Sequence, residues 1–477
     1  MRYETLDDGS VSQHTPLIGG RDTGDRTPPY VVRRLICLSW AVCMCNITFG
    51  YDVGAVSETL TSIQGAFGLS DLMAGTFTGA LNLAAAVGAL LVSGSTLDVL
   101  GRKGTLLVAS ILLIIGGVTV ASATNTYALM TGRAVQGLGI GTCWCASTTY
   151  ITEVTPAAWR GSLVSISDIS INFGILVGYA VGYGVGNATN WRVVMALSAV
   201  PPCIFLLVSF WVPETPRWLA MRGEDDKALK VLSQFTHADD HATAERVLEE
   251  ICEERRALLA NNNISDATWA ETLSNAPPLA TALAVAQQIT GTEAILYYAS
   301  YIIPGDPSTQ FIANLGIGGC KFFFELCAAP LADSEGNYGG RRNLMILGNG
   351  VVVAALVSLA GALYFGDSVI ASVALVSLAM AGFSLGPGPF TFVLVNEIVP
   401  FRYRGKGVAM AVACNRIVSG TVALTFLVFE DAIGVPAVFL FYAMLGLVST
   451  ALYYKMADTR GASLESLERA GWTRGAL

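Results

Sequence analysis

The chain has 477 residues, of which 53% are apolar and only 13% charged, and its formal net charge is −8. Soluble domains carry about 25% charged residues, so a large soluble two-domain protein is excluded. Its 50 glycines, without a collagen period, suit membrane helices, where a missing side chain lets backbones approach.

Residues 1–31 are polar and include Pro28–Pro29, which predicts a disordered tail. Six apolar runs follow, near 35–57, 74–97, 105–123, 128–150, 163–186 and 192–212. Each can hold the roughly 20 apolar residues that a membrane helix needs. A polar stretch comes next, 214–272. From Gly223 to Leu259 it reads as amphipathic helix, and Asn261 to Asp266 interrupts the pattern. Six further runs lie near 277–303, 311–332, 344–364, 369–395, 407–429 and 434–455, and residues 457–477 form a second tail. The fold expected is an all-α polytopic membrane protein. It has twelve transmembrane helices in two six-helix halves, 32–213 and 273–456, joined by a helical linker that caps both halves.

Positive charge sits in alternate connections: Arg33 and Arg34, Arg102 and Lys103, Arg160, Arg341 and Arg342, and Arg402, Arg404 and Lys406. The others carry Asp71, Asp306, Asp367, Glu430 and Asp431. The positive-inside rule then puts both termini in the cytoplasm. A positive flank followed by a full span is not a cleavable signal peptide. All cysteines but Cys252 fall in the spans, so no disulfide framework is expected, and Cys143-x-Cys145 reads as packing. Asn187-Ala-Thr189 matches a glycosylation acceptor on an outer loop. There is no phosphate loop, metal-ligand cluster or nucleophile–base pair at recognisable spacing. His237 and His241 are four residues apart without a metalloprotease pattern. No enzyme activity, cofactor, metal or nucleic-acid partner is expected.

The chain echoes itself once. Glu153-x-x-Pro156-x-x-x-Arg160-Gly161 recurs as Glu397-x-x-Pro400-x-x-x-Arg404-Gly405, 244 residues on. Glu214-Thr215 recurs as Asp458-Thr459 at the same offset. Asp98 with Gly101-Arg102-Lys103 recurs as Asp333 with Gly340-Arg341-Arg342. Parallel halves of this kind belong to carriers working by alternating access. Interfacial anchoring explains Lys103. The repeated carboxylate–arginine sets instead predict gating networks, Glu153, Arg160, Glu214 and Arg217 in one half and Glu397, Arg404, Asp458 and Arg460 in the other. Such links favour a state closed to the cytoplasm.

Several stretches, in order, carry a resemblance. They are Gly50-Tyr51-Asp52-x-Gly54, Gly132-Arg133-x-x-x-Gly137-x-Gly139-x-Gly141, Tyr150-x-x-Glu153 through Arg160-Gly161, and Pro213-Glu214-Thr215-Pro216-Arg217-Trp218. Gln287-Gln288-x-x-Gly291 through Tyr297-Tyr298, Gly386-Pro387-Gly388-Pro389 and Asn415-Arg416 complete the set. Together they resemble the sugar porter family of the major facilitator superfamily over about 35–468. Within it, Arg160-Gly161-Ser162-Leu163, the run Ile171 to Tyr179, and Asn415-Arg416-x-x-x-Gly420 with Thr425-Phe426-Leu427 look most like plant-type polyol and monosaccharide proton symporters.

A charge at membrane depth is costly and marks a functional site by default. Asp52 and Arg133 are two such charges, and the resemblance implies that Asp52 carries the proton while Arg133 pairs with it. A static ion pair is the alternative. A polyhydroxylated solute needs mixed donors and acceptors plus an apolar wall, which Gln287 and Gln288 can begin to supply. By family position, Gln287, Gln288, Glu293, Asp168, Lys321 and Asn415 face the central cavity, Phe392 supplies its apolar wall, and Tyr297 and Tyr298 form an outer gate. The chain departs from the family pattern at Asp168, Glu293, Phe392, Ser384 and Val99, in the inserted Ser334–Gly339, and at Ala457-Asp458-Thr459. Lys321 and Glu325 are one turn apart and can pair.

The expected function is proton-coupled transport of a polyol or monosaccharide by a monomer in the plasma membrane. The alternatives are a facilitative hexose or inositol uniporter, and a non-transporting nutrient sensor, for which the tails are short.

Overall fold

In this computed structural model the described residues are 29–156, 159–185, 190–235, 241–260, 268–302, 307–331, 340–366, 369–400 and 403–456. All regular structure among them is helical. The first group is α1 (Pro29–Val42), α2 (Met44–Phe67), α3 (Leu72–Val99), α4 (Gly101–Ala121), α5 (Thr126–Val154), α6 (Arg160–Val185) and α7 (Trp191–Val208). The linker holds α8 (Pro216–Met221), α9 (Asp225–Phe235), α10 (His241–Ala260) and α11 (Trp269–Asn275). The second group is α12 (Pro278–Gln288), α13 (Thr292–Ile302), α14 (Pro307–Leu331), α15 (Arg341–Phe365), α16 (Val369–Ile398), α17 (Arg404–Ile433) and α18 (Val435–Lys455).

Helix ends follow local chemistry. The side chain of Ser70 accepts the Met73 N–H at 3.3 Å, and that of Asn125 accepts the Ala128 N–H at 2.8 Å, each satisfying a first-turn donor. Among the described residues nine helices are long and apolar enough to cross a membrane, and α1 with α2, bent by 51°, make a tenth. The apolar runs near 128–150 and 277–303 are not among them. The first forms α5, 29 residues long, which carries Arg133, Gln136 and Glu153. The second is broken into α12 and α13, of 11 residues each. In lipid the outward faces must be apolar and the polar groups internal. Leu91, Leu207 and Leu447 are exposed, whereas Asp52, Arg133, Gln287 and Arg416 are buried. These features make the chain an integral multi-pass membrane protein.

Glycine lets the functional helices touch. A Cβ on Gly50 would stand 1.7 Å from the Ile171 carbonyl oxygen, and one on Gly178 would stand 2.4 Å from that of Tyr51. Gly50-x-x-x-Gly54 on α2 and Gly174-x-x-x-Gly178 on α6 therefore seat the two backbones against each other. This contact fixes Asp52 relative to Asp168 and Asn172. Helix α3 packs on α17, and α6 packs on α14, so the two groups meet along two seams.

The polar linker is not one amphipathic helix. Helices α9 and α10 are separate, and His237 between them lies outside the described residues. Leu219, Val231, Leu232, Val247 and Ile251 form its own small core, tied by Arg255 to Asp225 at 2.8 Å. Its first helix docks on the first group, where the Trp218 indole and Arg222 donate to the Asp98 carbonyl at 3.2 and 3.1 Å. Helix α11 touches both groups, with the Trp269 ring against Gly94 and further packing on α17.

Candidate functional site

Helix α2 brings Asp52, and α5 brings Arg133, to one fully enclosed point. Arg133 Nη1 donates to both carboxylate oxygens at 2.5 and 2.6 Å, and neither side chain is exposed. The guanidinium has secondary supports: Nε donates to the Phe77 carbonyl at 3.3 Å, and the Phe77 ring lies 4.4 Å away. Nη2 has no partner among the described residues. Arg133 can therefore stay in place if the carboxylate becomes neutral, which a static ion pair would not require.

A small cavity lies near this pair, lined from α2 by Phe49 and Val53, between the two groups of helices. It is about 40 Å³, measured as room for the centre of a water-sized sphere, so it holds about three waters. Asp168, Gln287, Gln288, Glu293 and Lys321 line it, and Phe49, Trp144 and Phe383 give it aromatic walls. Gln287 is fixed: its amide donates to the Pro387 and Gly388 carbonyls at 3.0 Å, and its oxygen accepts from Asn415 at 2.8 Å. Gln288 Oε1, Glu293 Oε2 and Trp144 Nε1 have no partner among the described residues. Two open acceptors and an open donor beside aromatic faces suit a solute bearing hydroxyls on a carbon skeleton.

The sequence-predicted site residues fall in two layers. Asp168, Gln287, Gln288, Glu293 and Lys321 line the cavity. Asn415 stands behind the glutamines, and Phe392 stands behind Trp144, ring centroids 4.8 Å apart. The direct aromatic wall is thus Trp144, for which the sequence offered no signal beyond an aromatic in a span. Arg416, the second residue of the Asn415-Arg416 motif, is not among the site residues expected from the sequence. It is fully buried, donates to Asn82 at 3.0 Å and Glu293 at 3.4 Å, and lies over the Trp144 ring at 4.6 Å. The rule that selects Asp52, a charge at membrane depth, selects Arg416 too. Lys321 does not pair with Glu325; its ammonium donates to Asn172 on α6.

At one end of the bundle the charged clusters assemble differently from the expected within-half sets. Glu153 receives Arg102 at 2.6 Å and the Thr215 hydroxyl at 2.8 Å. Glu214 accepts the N–H groups of Arg102 and Thr215 at 3.0 and 2.9 Å, yet burial outweighs these bonds and pushes its carboxyl above the usual value. Arg217 is buried in the first turn of α8. Glu397 takes Arg341 of its own half and also Arg160 of the other, the latter at 3.8 Å. Lys406 crosses to Asp98 at 3.0 Å, beside the buried Arg404. Arg102–Glu153 and Arg341–Glu397 are equivalent members of the sequence repeat. Asp333, Ser334–Gly339, Arg402, Asp458 and Arg460 lie outside the described residues, as does Asn187.

Toward the other end, α13 reaches across the bundle. Tyr297 Oη accepts from Asn82 at 3.3 Å, Tyr298 donates to the Ala423 carbonyl at 2.8 Å, and Tyr179 donates to the Leu296 carbonyl at 3.2 Å. Helix α13 is freed from α12 at Gly291, whose φ is +73° and where a Cβ would stand 2.4 Å from the Tyr442 ring. Gly291→Ala should cost about 1–2 kcal/mol for the left-handed backbone alone, with the ring clash added. The thermal midpoint of purified protein and the solute exchange rate should both fall; if neither moves, the break is not the hinge.

A helical membrane bundle around a polar cavity, with a buried ion pair and ties across both ends, has the features of a transporter. The sequence profile of the family described as "Sugar (and other) transporter" matches residues 38–470, and the chain belongs to this family, the sugar porters of the major facilitator superfamily. "Probable polyol transporter 3" of Arabidopsis thaliana is 31% identical over 454 residues, covering 89% of this chain and 88% of the plant protein. The structure of the major facilitator proton:xylose symporter XylE bound to 6-bromo-6-deoxy-D-glucose is similar in fold, with a TM-score of 0.84 at 24% identity over 92% of this chain and all of that one, 100%. Inward-open XylE from E. coli gives 0.71 at 24% identity, over 91% and 99% of the two chains.

Proposed function

We propose that the protein carries a polyol or monosaccharide in symport with protons by alternating access. One observation carries the reading: a buried carboxylate–guanidinium pair, Asp52–Arg133, has its carboxylate on α2 next to Phe49 and Val53, which line a cavity whose open hydrogen-bonding atoms suit hydroxyls. The names of the plant relative and of the solved symporter support the solute class. On this reading α5 and the α12–α13 pair are also spans. That gives twelve helices in two six-helix halves, 32–213 and 273–456, with a linker at 214–272 and both termini in the cytoplasm. The ion pairs from Glu397 and Asp98 then close the cytoplasmic end. We place the protein in the plasma membrane as a monomer, because both halves lie in one chain.

Liposomes reconstituted with the purified protein should accumulate at least one labelled hexose, pentose, sorbitol, mannitol or inositol when an inward pH gradient is imposed. Uptake that ignores the gradient would favour the uniporter. No movement of any of them would reopen the solute class.

A further inference from the structure

Glu325 plays no part in the cavity lining, yet it is 1% exposed in the C-terminal third of α14 and its Oε1 has no partner among the described residues. An ionised carboxylate without a bonded counter-ion at this depth is costly, and a protonated one is much less so. Its natural counter-ion is Lys321, four residues earlier on the same helix face. Here Lys321 points elsewhere: its ammonium donates to Asn172 of α6 and lies 5.2 Å from the Phe383 ring. The α6–α14 contact is one of the two seams between the halves. Lys321 therefore spans a boundary that parts and closes if the halves rock.

The helices packed on α14 present few other charges. Arg160 and Asp168 are on α6, Glu293 is on α13, and Glu397 is on α16. Lys321, the cation one turn from Glu325, is committed across the seam.

We propose that Glu325 is a second proton-carrying residue, loaded whenever Lys321 bridges the α6–α14 seam to Asn172. The inference rests on the symport reading above. With the seam closed, Glu325 holds its proton as a neutral acid. When the seam parts, Lys321 loses Asn172 and returns to Glu325 as an ammonium. The carboxyl O–H bond then breaks, the proton leaves to water, and the carboxylate that remains pairs with Lys321. Asp52 carries its own proton independently, so each neutral solute moves with two.

The test is equilibrium accumulation of a neutral solute in liposomes, with the membrane potential clamped at zero and the pH gradient varied. Two protons per solute raise the limiting ratio by about two decades per pH unit, and one proton by about one decade. The wild type should show two decades per unit, Glu325→Gln one, Asp52→Asn one, and the double variant none. Glu325→Gln imitates the loaded acid, so it should still exchange solute without a gradient. A wild-type slope of one decade overturns the proposal even if Glu325→Gln fails to fold. A wild-type slope of two that Glu325→Gln leaves unchanged overturns it as well. A wild-type slope of zero, with solute moving, would instead sink the symport reading beneath it.

Discussion

Asp52→Asn should lower the limiting accumulation ratio about tenfold for each pH unit of imposed gradient, the thermodynamic share of one proton, while solute exchange stays within a few-fold of wild type. The asparagine imitates the protonated acid in size and charge, so the cavity beside it is unaltered. What it removes is the choice between two charge states opposite Arg133. The geometry explains why exchange should survive. Arg133 keeps its bond to the Phe77 carbonyl at 3.3 Å, a weaker one to Gln136 at 3.4 Å, and the Phe77 ring at 4.4 Å. A guanidinium held in this way need not collapse when its counter-ion goes neutral. Arg133→Ala is a different perturbation: it strands Asp52 as a buried carboxylate with no counter-ion, and removal of one partner of a buried pair costs about 3–5 kcal/mol. Exchange as well as accumulation should then suffer. The measurement is uptake of labelled solute into liposomes with and without a gradient. Full gradient-driven accumulation by Asp52→Asn would remove this residue from the coupling.

How much of this site could be read in the sequence depends on whether a residue declares itself locally. Asp52 does, because a carboxylate inside an apolar run has no cheap structural excuse. The Gly-x-x-x-Gly pairs do too, since Gly50 and Gly174 are spaced for backbone contact. Gly291 marks the break between α12 and α13, which a count of apolar residues passes over. The partners of charged groups are another matter. Spacing predicts that Glu153, Arg160 and Glu397 sit at the same end of the bundle, but not which half an arginine faces, and Arg160 faces the other one. Likewise Lys321 and Glu325 are ideally spaced to pair, and the seam with α6 overrides that local preference by offering Asn172. Layering is also invisible in one dimension: Phe392 and Trp144 both read as aromatics in spans, and only packing decides that Trp144 stands in front.

Glu397→Gln should have the second large effect, because one carboxylate serves two buried arginines from opposite halves. Arg160 and Arg341 are 6% and 1% exposed, and both converge on Glu397. The neutral amide removes the negative charge on which both cations converge. The loss falls on the closed state alone, since opening this end lets water reach both guanidinium groups. With about 3–5 kcal/mol at stake for breaking a buried pair, the closed population should fall by at least about 100-fold relative to the open one. Amide exchange in 144–156 and 388–400, the segments that meet at this end, should rise steeply. Solute exchange should slow, since the carrier lingers open on one side. Glu153→Gln provides the contrast, because Arg102 belongs to the same half as Glu153. It should loosen the α4–α5 end with much less change across the seam. If both variants raise exchange equally in 388–400, the cross-half bond at Glu397 is not what closes the bundle. Unchanged amide exchange in Glu397→Gln would mean that Lys406 and Asp98, 3.0 Å apart on the same rim, hold the end by themselves.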